Sequence, residues 1–121
     1  MKKIIIFEDE QMLSGAYKIK IEKAGMLCSI YEFPPENLIE TILVEKPDLI
    51  IMSVIMPHMD GFRATEKIKA DERTKNTPLI FVTSVADDES VRKGLKLGAI
   101  KYFAKANIVP NDLIEEIKKI I

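Results

Sequence analysis

The chain has one cysteine, one histidine and no long apolar run. Each shortage closes off a class of function. Cys28 has no second thiol to pair with, so an internal disulfide is excluded, and no CxxC or Cys/His cluster offers a zinc site. Its apolar setting reads as that of a buried structural thiol. His58 stands alone in a loop and reads as a solvent-exposed residue; no Ser/His/Asp set exists for a hydrolase. No apolar stretch approaches the ~20 residues of a membrane span. The run after Met1-Lys2-Lys3, from Ile4 to Phe7, is too short for a signal peptide. Neither sign of charge dominates: 18 Lys and Arg against 19 Asp and Glu leave a net charge of -1, so bulk charge gives no reason for direct nucleic-acid binding. There is no GxGxxG and no Walker A motif. The expectation is a soluble cytoplasmic protein without membrane contact.

What remains is ordinary globular material in quantity for one core. The 121 residues, 47% of them hydrophobic, suit a single domain and are too few for two. No linker or low-complexity segment interrupts them. We expect one domain over residues 1–121 and no output domain. Ile4 to Phe7 reads as a buried parallel strand. Met12, Leu13, Ala16, Ile19 and Ala24 recur at helical spacing, with Gly25 placed to end that helix. Leu27 to Tyr31 is a second strand. Pro34-Pro35 opens a helix to about Val44, with Leu38, Ile39, Ile42 and Leu43 as its stripe. A helix from about Phe62 to Ala70, a strand from Leu79 to Val82 and an acid-started helix from Asp87 to about Leu97 follow. A short strand from Ile100 to Phe103 and a last helix from Pro110 complete the chain. Five strand–helix pairs in this length imply an α/β fold of parallel strands with right-handed crossovers, a (βα)5 chain.

The chemistry gathers on Pro47-Asp48-Leu49-Ile50-Ile51-Met52-Ser53-Val54-Ile55-Met56-Pro57-His58-Met59-Asp60-Gly61. An Ile-rich run too short for a buried helix reads as a central strand, and Pro57 and Asp60-Gly61 turn the chain into a helix. Ser53 falls where the strand ends, the place where ligand chemistry collects in open parallel sheets. This stretch closely resembles the phosphoacceptor segment of the response regulator receiver domain, the partner of sensor histidine kinases. The family pattern is Pro-Asp-Leu, apolar residues, Asp, two apolar residues, Met-Pro, two residues, Asp-Gly. Every element matches except the acceptor, which is Ser53 here. The resemblance covers essentially the whole chain. It implies a doubly wound, flavodoxin-like sheet in the order 2-1-3-4-5.

It also implies roles for particular residues. Glu8 and Asp9 are adjacent acids at a strand end, which packing explains poorly and a hard cation such as Mg²⁺ would explain well; a solvated acidic turn is the plain alternative. By the resemblance Asp9 touches the metal, Glu8 acts through water, and the Ile55 backbone carbonyl is the third protein ligand. Thr83, otherwise an ordinary strand residue, matches the hydroxyl that binds the phosphoryl group. Tyr102 matches the switch aromatic; an edge-strand aromatic packed on the last helix is the other reading. Lys105 matches the lysine that pairs with the acidic pocket. The family has Pro after that lysine, joined by a cis bond. Here the residue is Ala106, and a cis bond before a non-proline residue costs roughly 2.5–4 kcal/mol, so a trans bond and a reshaped loop are expected. Met56 and Met59 read as packing residues.

Ser53 alters the mechanism that the resemblance implies. Its hydroxyl is neutral near pH 7 and needs an adjacent base to become a nucleophile. It is shorter than Asp, and in-line transfer is sensitive to misplacements of about 1 Å. It also brings no charge to the metal, so Mg²⁺ is expected to bind more weakly. The expected function is a receiver module of a two-component phosphorelay, impaired in Asp-type phosphorylation, not an enzyme, and acting by protein contact. Two origins stay open: a natural receiver working unphosphorylated, or a variant of an ordinary receiver whose Asp was replaced. A serine kinase acting on Ser53 and a flavodoxin-like cofactor protein are remoter readings. Partners are expected to be a sensor histidine kinase or another phosphorelay protein. The resemblance points to the fourth helix, fifth strand and last helix as the docking face, with Arg92, Lys93, Lys96 and Lys101 exposed on it.

Overall fold

The computed structural model describes residues 1–121. Five strands, β1 (Lys3–Phe7), β2 (Leu27–Tyr31), β3 (Leu49–Met52), β4 (Leu79–Thr83) and β5 (Lys101–Ala104), form one parallel sheet in the order β2-β1-β3-β4-β5. Five helices cross between or follow them: α1 (Gln11–Lys23), α2 (Leu38–Glu45), α3 (Gly61–Ala70), α4 (Asp88–Lys96) and α5 (Pro110–Ile120). This is the flavodoxin-like arrangement that the family resemblance implied. The central strands are apolar on both faces because both faces are covered. Ile4, Ile6, Leu49, Ile51, Ile80 and Val82 face Tyr17 and Ile21 of α1 and Leu113, Ile114 and Ile117 of α5. Ile5, Phe7, Ile50, Met52, Leu79 and Phe81 face Leu38, Ile42, Ala64 and Ile68 of α2 and α3. Met56 is buried with this second layer and Met59 packs on it. Cys28 is buried, and desolvation pushes its thiol up to about 12, which leaves it unreactive.

Three local expectations differ from the structure. The buried face of α1 is Ser14, Tyr17 and Ile21. Met12 is 93% exposed, and Ala16, Ile19 and Ala24 are exposed too. The apolar pattern was out of phase because a serine hides in the core: the Ser14 hydroxyl donates to the Gln11 carbonyl at 3.3 Å, so its polar atom is satisfied within the turn. Pro34-Pro35 does not open α2, which starts at Leu38. Pro34 and Pro35 lie outside regular structure, Glu36 and Asn37 form a turn, and Asn37, the N-cap residue, is itself non-helical with φ -94° and ψ 46°. The fifth strand lies one residue later than Ile100 to Phe103.

The sheet brings its functional ends together. Strand order reverses between β1 and β3, and Phe7 of β1 is in register with Met52 of β3. Glu8 and Ser53 are the next residues on each strand, and the Ser53 amide donates to the Phe7 carbonyl at 3.0 Å. Thr83 ends β4 in register with Ala104 of β5, and Lys105 comes next.

Candidate functional site

Four strand ends therefore bring Glu8, Ser53, Thr83 and Lys105 to one edge of the sheet. Glu8 is 2% exposed. Burial pushes its carboxyl above the usual range, and the Lys105 ammonium and the Glu10 amide pull it back only in part. Its Oε1 lies 2.8 Å from Lys105 Nζ, and its Oε2 accepts the Glu10 amide at 3.0 Å. Lys105 Nζ also reaches Glu10 Oε1 at 3.2 Å. Burial would lower the Lys105 ammonium, but the two glutamates outweigh it and hold it above its ordinary value. Asp9 is exposed and forms no ion pair, but its side chain lies beside Glu8 and adds to the upward push on that carboxyl.

Ser53 is 3% exposed. Its carbonyl is where α3 begins: a Cβ on Gly61 would lie 1.8 Å from the Ser53 oxygen, and the Gly61 amide donates to the Val54 carbonyl at 2.7 Å. The Asp60 side chain caps α3 by accepting the Arg63 amide at 2.9 Å. The Asp60-Gly61 pair thus starts the helix and lets its backbone touch the loop. Ile55 is 64% exposed, and its carbonyl accepts no protein hydrogen bond.

The Thr83 hydroxyl oxygen accepts the Val54 amide at 3.3 Å and the Val85 amide at 3.2 Å, joining the loops after β3 and β4. The Val85 carbonyl in turn accepts the Tyr102 hydroxyl. The Tyr102 ring stacks on Phe81, with centroids 5.1 Å apart, and lies against Gly94 of α4. The aromatic therefore packs inward on β4 and α4, not on the last helix. All peptide bonds are trans, Lys105–Ala106 included. The residues Lys105–Asn107 form a 3-10 turn, and this reshaped loop still delivers the ammonium to Glu8. His58 is exposed with a φ of 69°, edge-on to Phe33 at 4.7 Å.

The sequence pattern assigns no role to Glu10. It is the N-cap residue of α1, and its place directly after two acids was the available signal. A cleft of about 280 Å³ lies elsewhere, between β2 and α2 beside Tyr31, Thr41 and Glu45.

A switch-point pocket of buried acid, hydroxyl and lysine on a (βα)5 sheet defines a class of signalling module. The family model for the response regulator receiver domain matches residues 4–118. The chain belongs to that family and is a receiver domain of the two-component type. It is 28% identical over 120 residues to the phosphate regulon transcriptional regulatory protein PhoB of Pseudomonas aeruginosa, covering 99% of this chain and 52% of that protein. It is 32% identical over 124 residues to the polar-differentiation response regulator DivK of Brucella anthropi, covering 97% and 94%. A solved CheY-like receiver domain protein from Methanospirillum hungatei is 27% identical with a TM-score of 0.87, covering 98% and 92%. The chain spans about half the length of the transcriptional regulators it matches. No helix is long and apolar enough to cross a membrane.

Receiver domains bind Mg²⁺ at their acidic phosphorylation site. The residues present here do not fit that ion. Mg²⁺ demands near-octahedral oxygen donors and usually one or two carboxylates. Both Glu8 oxygens are engaged, by Lys105 and by the Glu10 amide. Ser53 supplies a neutral hydroxyl where the family has a carboxylate. No three Asp, Glu, His or Cys side chains converge. Asp9 and the Ile55 carbonyl are what remain.

Proposed function

We propose that this receiver is impaired in Asp-type phosphorylation and works by protein contact within a phosphorelay pathway, without enzymatic activity of its own. The observation that carries this reading is the state of Ser53. It is buried, and its nucleophilicity depends on a base that the pocket does not provide. Glu8 is the nearest acid by strand register, and it is committed to Lys105 and the Glu10 amide. A serine without an adjacent base is a weak nucleophile at neutral pH. The pocket also offers Mg²⁺ one carboxylate fewer than a receiver with an Asp at this position.

The partner is a sensor histidine kinase or another phosphorelay protein, met in the cytoplasm, with no direct nucleic-acid or membrane contact. The docking face is α4, β5 and α5. Lys93 is partly engaged, since its Nζ sits 4.8 Å above the Phe62 ring. Lys96 and Lys101 are exposed and form no ion pair. Charge reversal at both should weaken partner binding, chiefly through the on-rate; unchanged affinity would count against this face.

Intact mass after incubation with Mg²⁺ and acetyl phosphate, beside a Ser53→Asp variant, tests the central claim. A phosphoryl gain in the variant alone is the expected result. A gain in the Ser53 chain would overturn the reading. No gain in either would place the defect in more than the acceptor, with the Lys105-Ala106 loop the first suspect.

A further inference from the structure

The donor set and the ion disagree, and the geometry names what takes the ion's place. Lys105 Nζ sits between Glu8 Oε1 at 2.8 Å and Glu10 Oε1 at 3.2 Å. Its side chain is 13% exposed and that of Glu8 3%. The Glu10 amide closes the ring on the other Glu8 oxygen, so Glu10 binds the pair through its backbone and its side chain at once. A buried carboxylate needs a partner in contact with it. A lysine fixed to the end of β5 supplies one at every metal concentration.

We infer that the Lys105 ammonium, held by Glu8 and Glu10, is the resident cation of this pocket, and that Mg²⁺ at millimolar concentration does not displace it. Displacement would strip Glu8 of its partner, which is strongly unfavourable for a buried pair. In return the ion would find Asp9, one carbonyl and water. Mg²⁺ also gives up its waters reluctantly. Glu10 is a positioning residue here: it steers the ammonium onto Glu8 and is not itself offered as a metal ligand. The inference shares its pocket with the function proposed above but does not depend on whether Ser53 is phosphorylated.

The test is metal binding, read without any phosphodonor. Melting temperature is followed from EDTA to millimolar MgCl₂ for the native chain, Lys105→Met and Ser53→Asp. In parallel, Mn²⁺ broadening of ¹⁵N amide resonances reports whether a divalent ion reaches Asp9 and Ile55. The native chain should show no saturable rise in melting temperature and no selective broadening. Lys105→Met, its Glu8 carboxylate released, should be destabilised in EDTA and gain several degrees with Mg²⁺. Ser53→Asp should also gain, because the added carboxylate completes a donor set with Asp9.

A saturable rise in the native chain overturns the inference. So does a Lys105→Met variant that ignores Mg²⁺ while Ser53→Asp responds, since Ser53 alone would then exclude the metal. If Lys105→Met does not fold in EDTA, Glu10→Gln is read by Mn²⁺ broadening instead. Broadening at Asp9 above the native level supports the assigned role of Glu10, and its absence contradicts it.

Discussion

Gly61 is in direct backbone contact with Ser53: a Cβ at position 61 would fall 1.8 Å from the Ser53 oxygen and 2.8 Å from its carbonyl carbon. Backbone cannot swing aside as a side chain can. Gly61→Ala must therefore move either the start of α3 or the loop that carries Ser53. The helix propensity gained from Ala is at most about 1 kcal/mol. Overpacking of a fitted contact costs about 1–3 kcal/mol, occasionally more. Clash wins, and we expect a net loss of about 2 kcal/mol in denaturant unfolding. Equal or greater stability would show that the loop has room to retreat.

Thr83 makes a separable prediction. Its oxygen serves two amides, those of Val54 and Val85, and the residue is buried. Thr83→Val keeps the shape and removes the acceptor. Leaving the buried Val54 amide unmet costs about 1–3 kcal/mol and the part-buried Val85 amide adds less, so a loss of about 2 kcal/mol is expected. Thr83→Ser restores the acceptor and should recover most of that. Amide exchange at Val54 and Val85 should quicken in the Val variant alone. Equal exchange in both variants would mean that these bonds do not hold the loops.

The α/β class was legible because the strands are short apolar runs, buried on both faces, alternating with amphipathic helices; the doubly wound strand order came from the family resemblance and not from the periodicity. The exceptions have local causes. Ser14 is buried because its hydroxyl is satisfied within its own turn, and no periodicity of apolar residues can find a core serine. After Pro34-Pro35 the chain turns through Glu36 and Asn37 before α2 begins at Leu38, a delay that proline positions alone do not reveal. Glu8 and Lys105 were identifiable as pocket residues from the motif, and they meet at 2.8 Å. What sequence could not tell is where the second glutamate goes. Nothing in the sequence pattern ties Glu10 to the pocket, and only the 3-10 path of Lys105–Asn107 shows that the ammonium lies within its reach.

Gly94 and Tyr102 give a spectroscopic test. A Cβ on Gly94 would lie 2.6 Å from the tyrosine ring. Desolvation, with Asp87 nearby, pushes the Tyr102 phenol up to about 12. Gly94→Ala should turn the ring outward, break its bond to the Val85 carbonyl and return the phenol towards its ordinary 10.0. Ultraviolet titration is a clean readout, because burial also raises Tyr17 and the Glu45 hydrogen bond holds Tyr31 at about 12. The native chain should therefore show little phenolate at pH 10, and the variant close to half of one tyrosine. An unchanged curve would mean that α4 gives way and the ring stays.

Glu45 links three elements far from the pocket and should govern the acid limb of stability. Its Oε1 lies 2.9 Å from Lys3 Nζ of β1. Its other oxygen accepts the Tyr31 hydroxyl of β2, and Ser29 lies near enough to help hold the carboxyl down. Desolvation works to raise this carboxyl, but neighbouring Ser29, the Tyr31 hydroxyl and the Lys3 ammonium outweigh it and hold it below its ordinary 4.5. A carboxyl depressed in the folded state contributes stability above its unfolded value and loses it as pH falls through the folded one. The native chain should thus lose this contribution progressively below about pH 4.5. Glu45→Gln has no proton to take up there. Hydrogen bonds to a charged group are worth about 1.5–3 kcal/mol, so the variant should be about 2 kcal/mol less stable at neutral pH. The gap should close as the native chain is acidified. Urea midpoints for both proteins from pH 7 to pH 3 decide the matter. A gap that stays constant across the range would mean that Glu45 holds α2 by packing and not by its charge.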